Sequence, residues 1–563
     1  MLEAYSNVYT RGPSEDGDLK LKFIFAKPLT RLANIENEIR IAERWIQHLR
    51  HDKANILQTF ERYYPFIRKA PPLPDDILRE IFLWCLPTEH NPTMSAKEAP
   101  MVLTRISSRW RSVALNTPRL WSALHIAVPN PIPYPHSLYD PTTGERIRPS
   151  YILEQRLRAV AEWLEKSGQL PLSLSLYDPD SSSDSGYGKL FVQSILPYAS
   201  RWRHLSAQCP PDAVADIARL QPSHVPHLES LCILPTPRSL DWKNSGILRA
   251  SKLREISIYG LLEGFSDLPL KWDQLTHLTM TGGQWLDGNL TMAQIGQILT
   301  RCSQLQSCTL KLTGGASISR ERHQLAPIFL PKLDTLCIYE MQPQTHFFFA
   351  AITAPRLRVL EYWVYGTTKS TPSGFSSLLT KVGVSLQRLS TNPTTIEATE
   401  FLKGLWACPA LTSLILRPSY HGNTGTYIEN ASSPTSDILL KSFSHSTNGS
   451  YLCPMLNTLE CHVGANFSDE AILEFIKRKQ VGSDTKISKL KSVKLYMTRG
   501  PTMDAVSYLG SHITSSMKLD IRYPPESYRG SFSLYDGLMR TSDPDPYTQL
   551  VQVPMLYRVL NDY

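Results

Sequence analysis

A six-residue pattern, Leu-x-x-(Leu/Ile/Val)-x-(Ile/Leu), recurs through the C-terminal part of the chain and limits what it can fold into. It occurs at Leu228-Leu231-Ile233, Leu253-Ile256-Ile258, Leu275-Leu278-Met280, Leu333-Leu336-Ile338, Leu357-Leu360, Leu411-Leu414-Leu416, Leu456-Leu459-Cys461 and Leu490-Val493-Leu495. Weaker copies start at Trp202, Leu305 and Leu386. Most starting positions lie 22 to 30 residues apart. The alternation inside each copy is that of a strand with one face buried. Between copies lie helix-like stretches such as Met292 to Arg301 and Asp469 to Lys479. A unit of one strand and one return segment cannot bury its apolar face alone, so neighbours must stack.

The expected result is a curved parallel sheet with helices outside, an irregular leucine-rich-repeat solenoid over residues 151–520. The asparagine that many such repeats place after the strand is missing, hence the irregularity. A long interval from Leu411 to Leu456 contains Gly422-Asn-Thr-Gly and Asn430-Ala-Ser-Ser-Pro, and predicts a loop insertion near 418–450. After about Asp520 the pattern fades into a Pro/Ser/Tyr-rich tail, 521–563.

The chain has 563 residues, 42% of them hydrophobic and 20% charged, proportions of a folded protein. Its net charge of +8 is spread out, with no Lys/Arg block of the kind that binds nucleic acid or membranes. No run of about 18 apolar residues predicts a membrane span, and the N-terminus lacks the apolar core of a signal peptide. The nine cysteines are scattered, without a Cys-x-x-Cys pair, and several lie in strand-like runs (Cys232, Cys337, Cys461). That fits buried free thiols in a reducing compartment, cytoplasmic or nuclear. No glycosylation is then expected at Asn289, Asn430, Asn448 or Asn466.

Residues 1–28 are polar, broken by Gly12, Pro13 and Gly17, and read as a poorly ordered lead-in. Over 29–70 the pattern is helical. Leu32, Ile35, Ile39, Ala42, Ile46 and Leu49 are spaced 3-4-3-4-3, followed less strictly by Ile56, Phe60 and Tyr63. This heptad-like seam suits a long helix packed on its own domain, or a homodimer through the 32–63 helix. Next comes Leu73-Pro-Asp-Asp-Ile-Leu-Arg-Glu-Ile-Phe-Leu-Trp-Cys-Leu86, with Pro74 at a helix start and Asp75 and Asp76 in the first turn. Its second half is apolar nearly all round. A loop rich in Pro, Thr, Asn and Ser (Pro87 to Lys97) leads to a second helical pattern through Ile106, Trp110, Val113 and Ala114.

Taken together, Leu73-Pro74-x-x-Ile77-Leu78-x-x-Ile81-Phe82, then Ile106-Ser-Ser-Arg109-Trp110-Arg-x-x-Ala114-x-x-x-Pro118-x-Leu120-Trp121, resemble an F-box. The closest likeness is to the large fungal (basidiomycete-type) families, in which a heptad-rich helix precedes the motif and Thr-Pro-Arg-Leu-Trp closes it. The likeness covers about 50 residues, 71–125, and departs from the general motif in the longer, Pro-containing loop. It implies docking on a Skp-family adaptor, and through it a cullin, in a ubiquitin ligase whose F-box subunit holds the target protein. By position, Leu73, Pro74, Ile77, Leu78, Ile81, Phe82, Ile106 and Trp110 would form the adaptor interface or the core behind it. Trp84 and Leu86 are expected to pack on the chain's own second helix. A Pro-rich connector, 126–150, separates this domain from the repeats. The rival reading is a leucine-rich-repeat scaffold with no ligase role.

Catalytic and cofactor motifs are missing: no phosphate loop, nucleophile elbow or dinucleotide fingerprint. His48 and His51, three apart on a polar helix, read as a solvated face, not a metal site. No enzyme activity, cofactor or metal is expected. Recognition is the stronger expectation. Strand-exit positions read Leu234, Tyr259, Thr281, Lys311, Tyr339, Trp363, Arg417, His462 and Tyr496. Tyr259, Tyr339, Trp363, Arg417 and Tyr496 are the residue types that carry interface energy, and are the candidates for binding a target of unidentified nature.

Overall fold

The computed structural model describes residues 15–61, 73–129, 149–178, 186–234, 242–259, 265–281, 292–312, 325–340, 346–364, 374–393, 396–417, 437–444, 446, 449–465, 467–481, 487–497, 501–503, 508–510 and 516–523. The 521–563 tail beyond Tyr523, the connector between 130 and 148 and the insertion between 418 and 436 lie outside them. The chain divides into two units, one ending at Trp84 and the other starting at Cys85.

The first unit holds helix α1 (Glu15–Glu61) and helix α2 (Asp75–Trp84). α1 starts well before the expected 29, which corrects the lead-in reading over 15–28; residues 1–14 lie outside the described residues. The sequence behind the start of α1, Leu-Lys-Leu-Lys-Phe-Ile-Phe, has no helix breaker until Pro28. Leu32, Ile35, Ile39, Ile46, Leu49 and Ile56 are all exposed, so the seam is not packed on its own domain.

The second unit is an α/β solenoid built on one sheet of fourteen parallel strands. Its strands are β1 (Ala123–Ala127), β2 (Leu172–Tyr177), β3 (Trp202–Gln208), β4 (Ser230–Leu234), β5 (Glu255–Tyr259), β6 (His277–Thr281), β7 (Ser307–Leu312), β9 (Thr335–Glu340), β11 (Val359–Val364), β12 (Arg388–Thr391), β13 (Ser413–Leu416), β14 (Thr458–Ala465), β15 (Ser492–Met497) and β16 (Lys518–Arg522). Among the described residues each pairs with its neighbours in this series, every parallel pair joined by a crossover, and only β8 (Ile328–Phe329) and β10 (Ile352–Thr353) intervene in the chain. These two form a small second ladder. The helices are α3 (Ser108–Leu115), α4 (Pro149–Lys166), α5 (Tyr187–Ile195), α6 (Pro211–Ala218), α7 (Met292–Thr300), α8 (His346–Ala351), α9 (Phe375–Val382), α10 (Ala398–Trp406), α11 (Asp437–Ser444) and α12 (Asp469–Val481). Between β4 and β6 the described residues hold short 3-10 turns, where Trp242 and Trp272 are buried.

Every repeated apolar position faces inward. Leu231 and Ile233 stand in register with Ile256 and Ile258, as Leu459 and Cys461 do with Val493 and Leu495, and the leading Leu228, Leu253, Leu456 and Leu490 are buried with them. Behind β11, Phe349, Tyr362, Phe375 and Phe401 form an aromatic row with centroid spacings of 5.2, 5.6 and 6.4 Å. Tyr362 Oη donates to the buried Glu340 carboxylate at 2.7 Å.

Three expected boundaries shift. β1, placed with residues 71–125, is the first strand of the sheet, so the sheet begins before 151. It is too short to be stable without β2, which it meets only after a long excursion in sequence. The insertion expected at 418–450 contains α11, whose Leu439, Leu440 and Phe443 are buried. Its apolar run was masked by the Gly- and Asn-rich residues before it. β16 crosses the expected start of the tail at 521.

Candidate protein-binding surfaces

Helix α2 forms as its sequence dictates: Pro74 supplies the carbonyl that accepts Leu78 N–H at 3.0 Å, and Asp75 and Asp76 occupy the first turn. Its apolar residues fall into two sets. Leu78 and Phe82, one turn apart, are 3% and 0% exposed. Leu73, Ile77, Ile81 and Trp84 are 47%, 45%, 38% and 87% exposed and share another face at i, i+4, i+8 and i+11. Leu78 and Phe82 are thus interior residues, the core behind the interface that the F-box likeness also allows. One expectation is corrected: Trp84 faces outward instead of packing on the chain's own second helix. Periodicity showed that the helix is apolar on more than one side but not which side is covered. Pro74 is also exposed.

In the second unit, Ser107 caps α3, its Oγ accepting Trp110 N–H at 3.1 Å. Ile106 is exposed and Trp110 half-buried. Leu103, Val113, Ala114, Leu120 and Trp121 form the interior there, and Trp121 Nε1 donates to Ala114 O at 2.9 Å. Trp121 also meets Trp163 of α4 edge-on at 4.7 Å, tying this segment to the sheet. The long loop has an anchor the sequence did not reveal. Asn91 accepts from Ser173 Oγ (3.0 Å) and donates to Ser175 Oγ (3.1 Å), and Pro92 O accepts His125 N–H (2.8 Å).

On the sheet, the strand-exit row is in register at its two ends: Lys311 opposite Tyr339 and Tyr339 opposite Trp363 across β7, β9 and β11, and Tyr496 opposite Arg522 across β15 and β16. Cations and aromatic rings pair along it. Lys311 Nζ stands 5.7 Å from the Tyr339 ring centre, Arg417 Cζ 6.0 Å from that of Trp363, and Arg522 Cζ 5.3 Å from that of Tyr496. His462 stacks on Tyr496 at 4.7 Å. Tyr339 Oη donates to Glu361 at 2.7 Å.

Of the five predicted residues, Tyr339, Trp363, Arg417 and Tyr496 belong to this row. Tyr259 ends β5, opposite Thr281 and two strands away from Tyr339's neighbour β7. Trp363 is only 8% exposed, its Nε1 buried without a hydrogen-bond partner. Sequence reasoning left Lys311 and His462 aside and missed Arg522. The signal was available, since each lies beside an aromatic residue once neighbouring strands are aligned.

One position inward, Glu460 meets Lys494 Nζ at 2.9 Å and His462 Nε2 at 3.3 Å. Burial alone would raise the Glu460 pKa, but these two partners hold it below the ordinary carboxylate value. His462 titrates below its usual value, chiefly through burial, with Arg417 and Lys494 adding repulsion that Glu460 only partly offsets. No cluster of three or more metal-ligating side chains occurs among the described residues, and no helix among them is long and apolar enough to cross a membrane. Comparison with protein-family models and with curated proteins finds no match for this chain.

Proposed function

We propose that the chain is the substrate-recognition subunit of a Skp-cullin-F-box type ubiquitin ligase, its α2 region docking a Skp-family adaptor and its irregular leucine-rich repeats holding the target. The observation that carries this reading is the exposed stripe Leu73–Ile77–Ile81–Trp84, on a helix whose other apolar stripe is already buried. A stripe of that kind is costly to leave in water and is the usual mark of a protein contact. The cation–aromatic row along β7–β16 supports a second, target-binding surface. Catalysis would be proximity alone: the chain would raise the effective concentration of a target lysine near a conjugating enzyme. Co-purification with a Skp-family adaptor tests it. Ile77→Asp with Ile81→Asp should abolish the complex without unfolding the sheet, and an undiminished complex would remove the assignment.

A second reading, a scaffold in which the F-box-like segment only caps the repeats, is favoured by the Trp121–Trp163 contact and the β1–β2 pairing. The same co-purification separates the two, because a pure cap binds no adaptor even with α2 intact.

A further inference from the structure

Helix α1 carries a second apolar face that the ligase reading does not use. Its exposed large apolar residues range from 44% to 64% accessible, and all except Ile41 lie on one side. With Leu32, Ile39 and Ile46 at a and Ile35, Ala42 and Leu49 at d, Leu29 and Leu57 fall at e and Trp45 at g. A helix polar all round could remain alone in water; one with this face requires a partner.

The sequence of the face names the partner. We infer that α1 pairs with α1 of a second copy of this chain, antiparallel and centred on Arg44. Folded back about that point, Leu32 meets the second copy's Ile56, Ile39 its Leu49, and Ala42 its Ile46. Each small side chain thus faces a large one, filling the layers. Lys53, the one charge in the seam, lies against Ile35, where its stem packs and its ammonium reaches water. On the flanks Leu29 meets Leu57, Trp45 meets Trp45, and Glu36 meets Arg50, the last pair formed twice by symmetry.

A parallel dimer is poorer. It sets Lys53 against Lys53 and Ala42 against Ala42, and leaves Leu57 facing Asp52. Like charges remain in both arrangements. In the antiparallel one Glu38 approaches Asp52, which His48 Nδ1 already approaches to 3.0 Å. The pairing spans about 30 residues a side, of which the a, d, e and g positions, about four in seven, make contact. It stands independently of adaptor binding.

The full chain, examined by light scattering after size exclusion, should have twice the 63.7 kDa of one copy. Ile39→Asp with Ile46→Asp should give monomers, the dissociation constant rising at least about 100-fold. Circular dichroism of that variant should still report the folded sheet. Glu36→Arg alone should raise the dissociation constant about tenfold, and adding Arg50→Glu should restore it. A monomeric wild type at about 50 µM, or a dimer indifferent to the two Asp substitutions, overturns the inference. Rescue of Glu36→Arg by Arg31→Glu instead of Arg50→Glu would show a parallel pair and overturn the stated geometry.

Discussion

Asp469, at the start of α12, grips Thr502 from the following unit, accepting both its N–H at 2.7 Å and its Oγ1–H at 2.6 Å. Asp437, at the start of α11, holds Ser468 in the same way, at 2.8 and 2.7 Å. The clamp therefore occurs twice in succession: a carboxylate in a helix's first turn takes the backbone and hydroxyl of a Ser or Thr one unit on. Asp469 also accepts Met503 N–H at 3.2 Å and Tyr523 Oη–H at 2.8 Å. It is fully buried, so its charge rests on these donors.

Asp469→Ala should therefore cost about 3 kcal/mol, since it leaves several donors unpaired around a cavity. Tyr523→Phe should cost about 1 kcal/mol. Denaturant titration measures both. Hydrogen exchange should show the loss of protection concentrated at 501–503 and 516–523, and uniform loss across the sheet would disprove the local clamp.

Lys479 is buried, donates to Leu456 O at 2.7 Å, and titrates at about 8 because burial disfavours its charged form. Its folded pKa lies below its unfolded one, so the unfolded chain binds the proton more tightly. Stability must rise with pH between about 8 and 10.5, and below that window the buried charge costs about 3 kcal/mol. Lys479→Met should remove this dependence. Seven buried or half-buried thiols act oppositely: burial raises the pKa of Cys209, Cys232, Cys302, Cys308, Cys337, Cys408 and Cys453, so stability falls above about pH 9. The quantity to measure is the difference between wild type and variant at pH 7 and 10. A constant difference would refute the assignment to Lys479.

Acid should act through histidines first. Burial lowers the pKa of His125, His204 and His462. Their contribution is present above about pH 6.5 and is lost as pH falls through the lower folded values. His462→Gln should flatten the decline of melting temperature between pH 6.5 and 5. If the slope is unchanged, His462 is not one of the groups that charge.

Arg417 is exposed and stands over Trp363, so it can be changed with little effect on the fold. Arg417→Glu should shift the melting temperature by less than about 2 °C. It should also reduce target recovered with the chain at least about fivefold, while adaptor recovery stays constant. Undiminished target recovery would discard the row as a binding surface.

The sheet was legible because one side chain does one thing in every copy: the leucines of the pattern are both the repeat and the core. Strand-exit residues followed from the same alternation. What escaped depended on partners distant in sequence. Trp84 and Phe82 are both large and apolar, and only the folded chain separates the exposed from the buried one. α11 lay behind a glycine-rich stretch that read as loop. Lys311 and Arg522 were unremarkable until the register set them beside Tyr339 and Tyr496.

The loop that brings Pro92 O to His125 N–H has a consequence for the order in which the array comes apart. β1 would otherwise present a free edge, and this contact satisfies part of it. At the opposite end, among the described residues, β16 has only β15 beside it. Coupling in such a row runs between nearest neighbours, so a lesion spreads along it until a strong interface stops it. The row should therefore fray from β16 inward, with β1 and β2 the last to open.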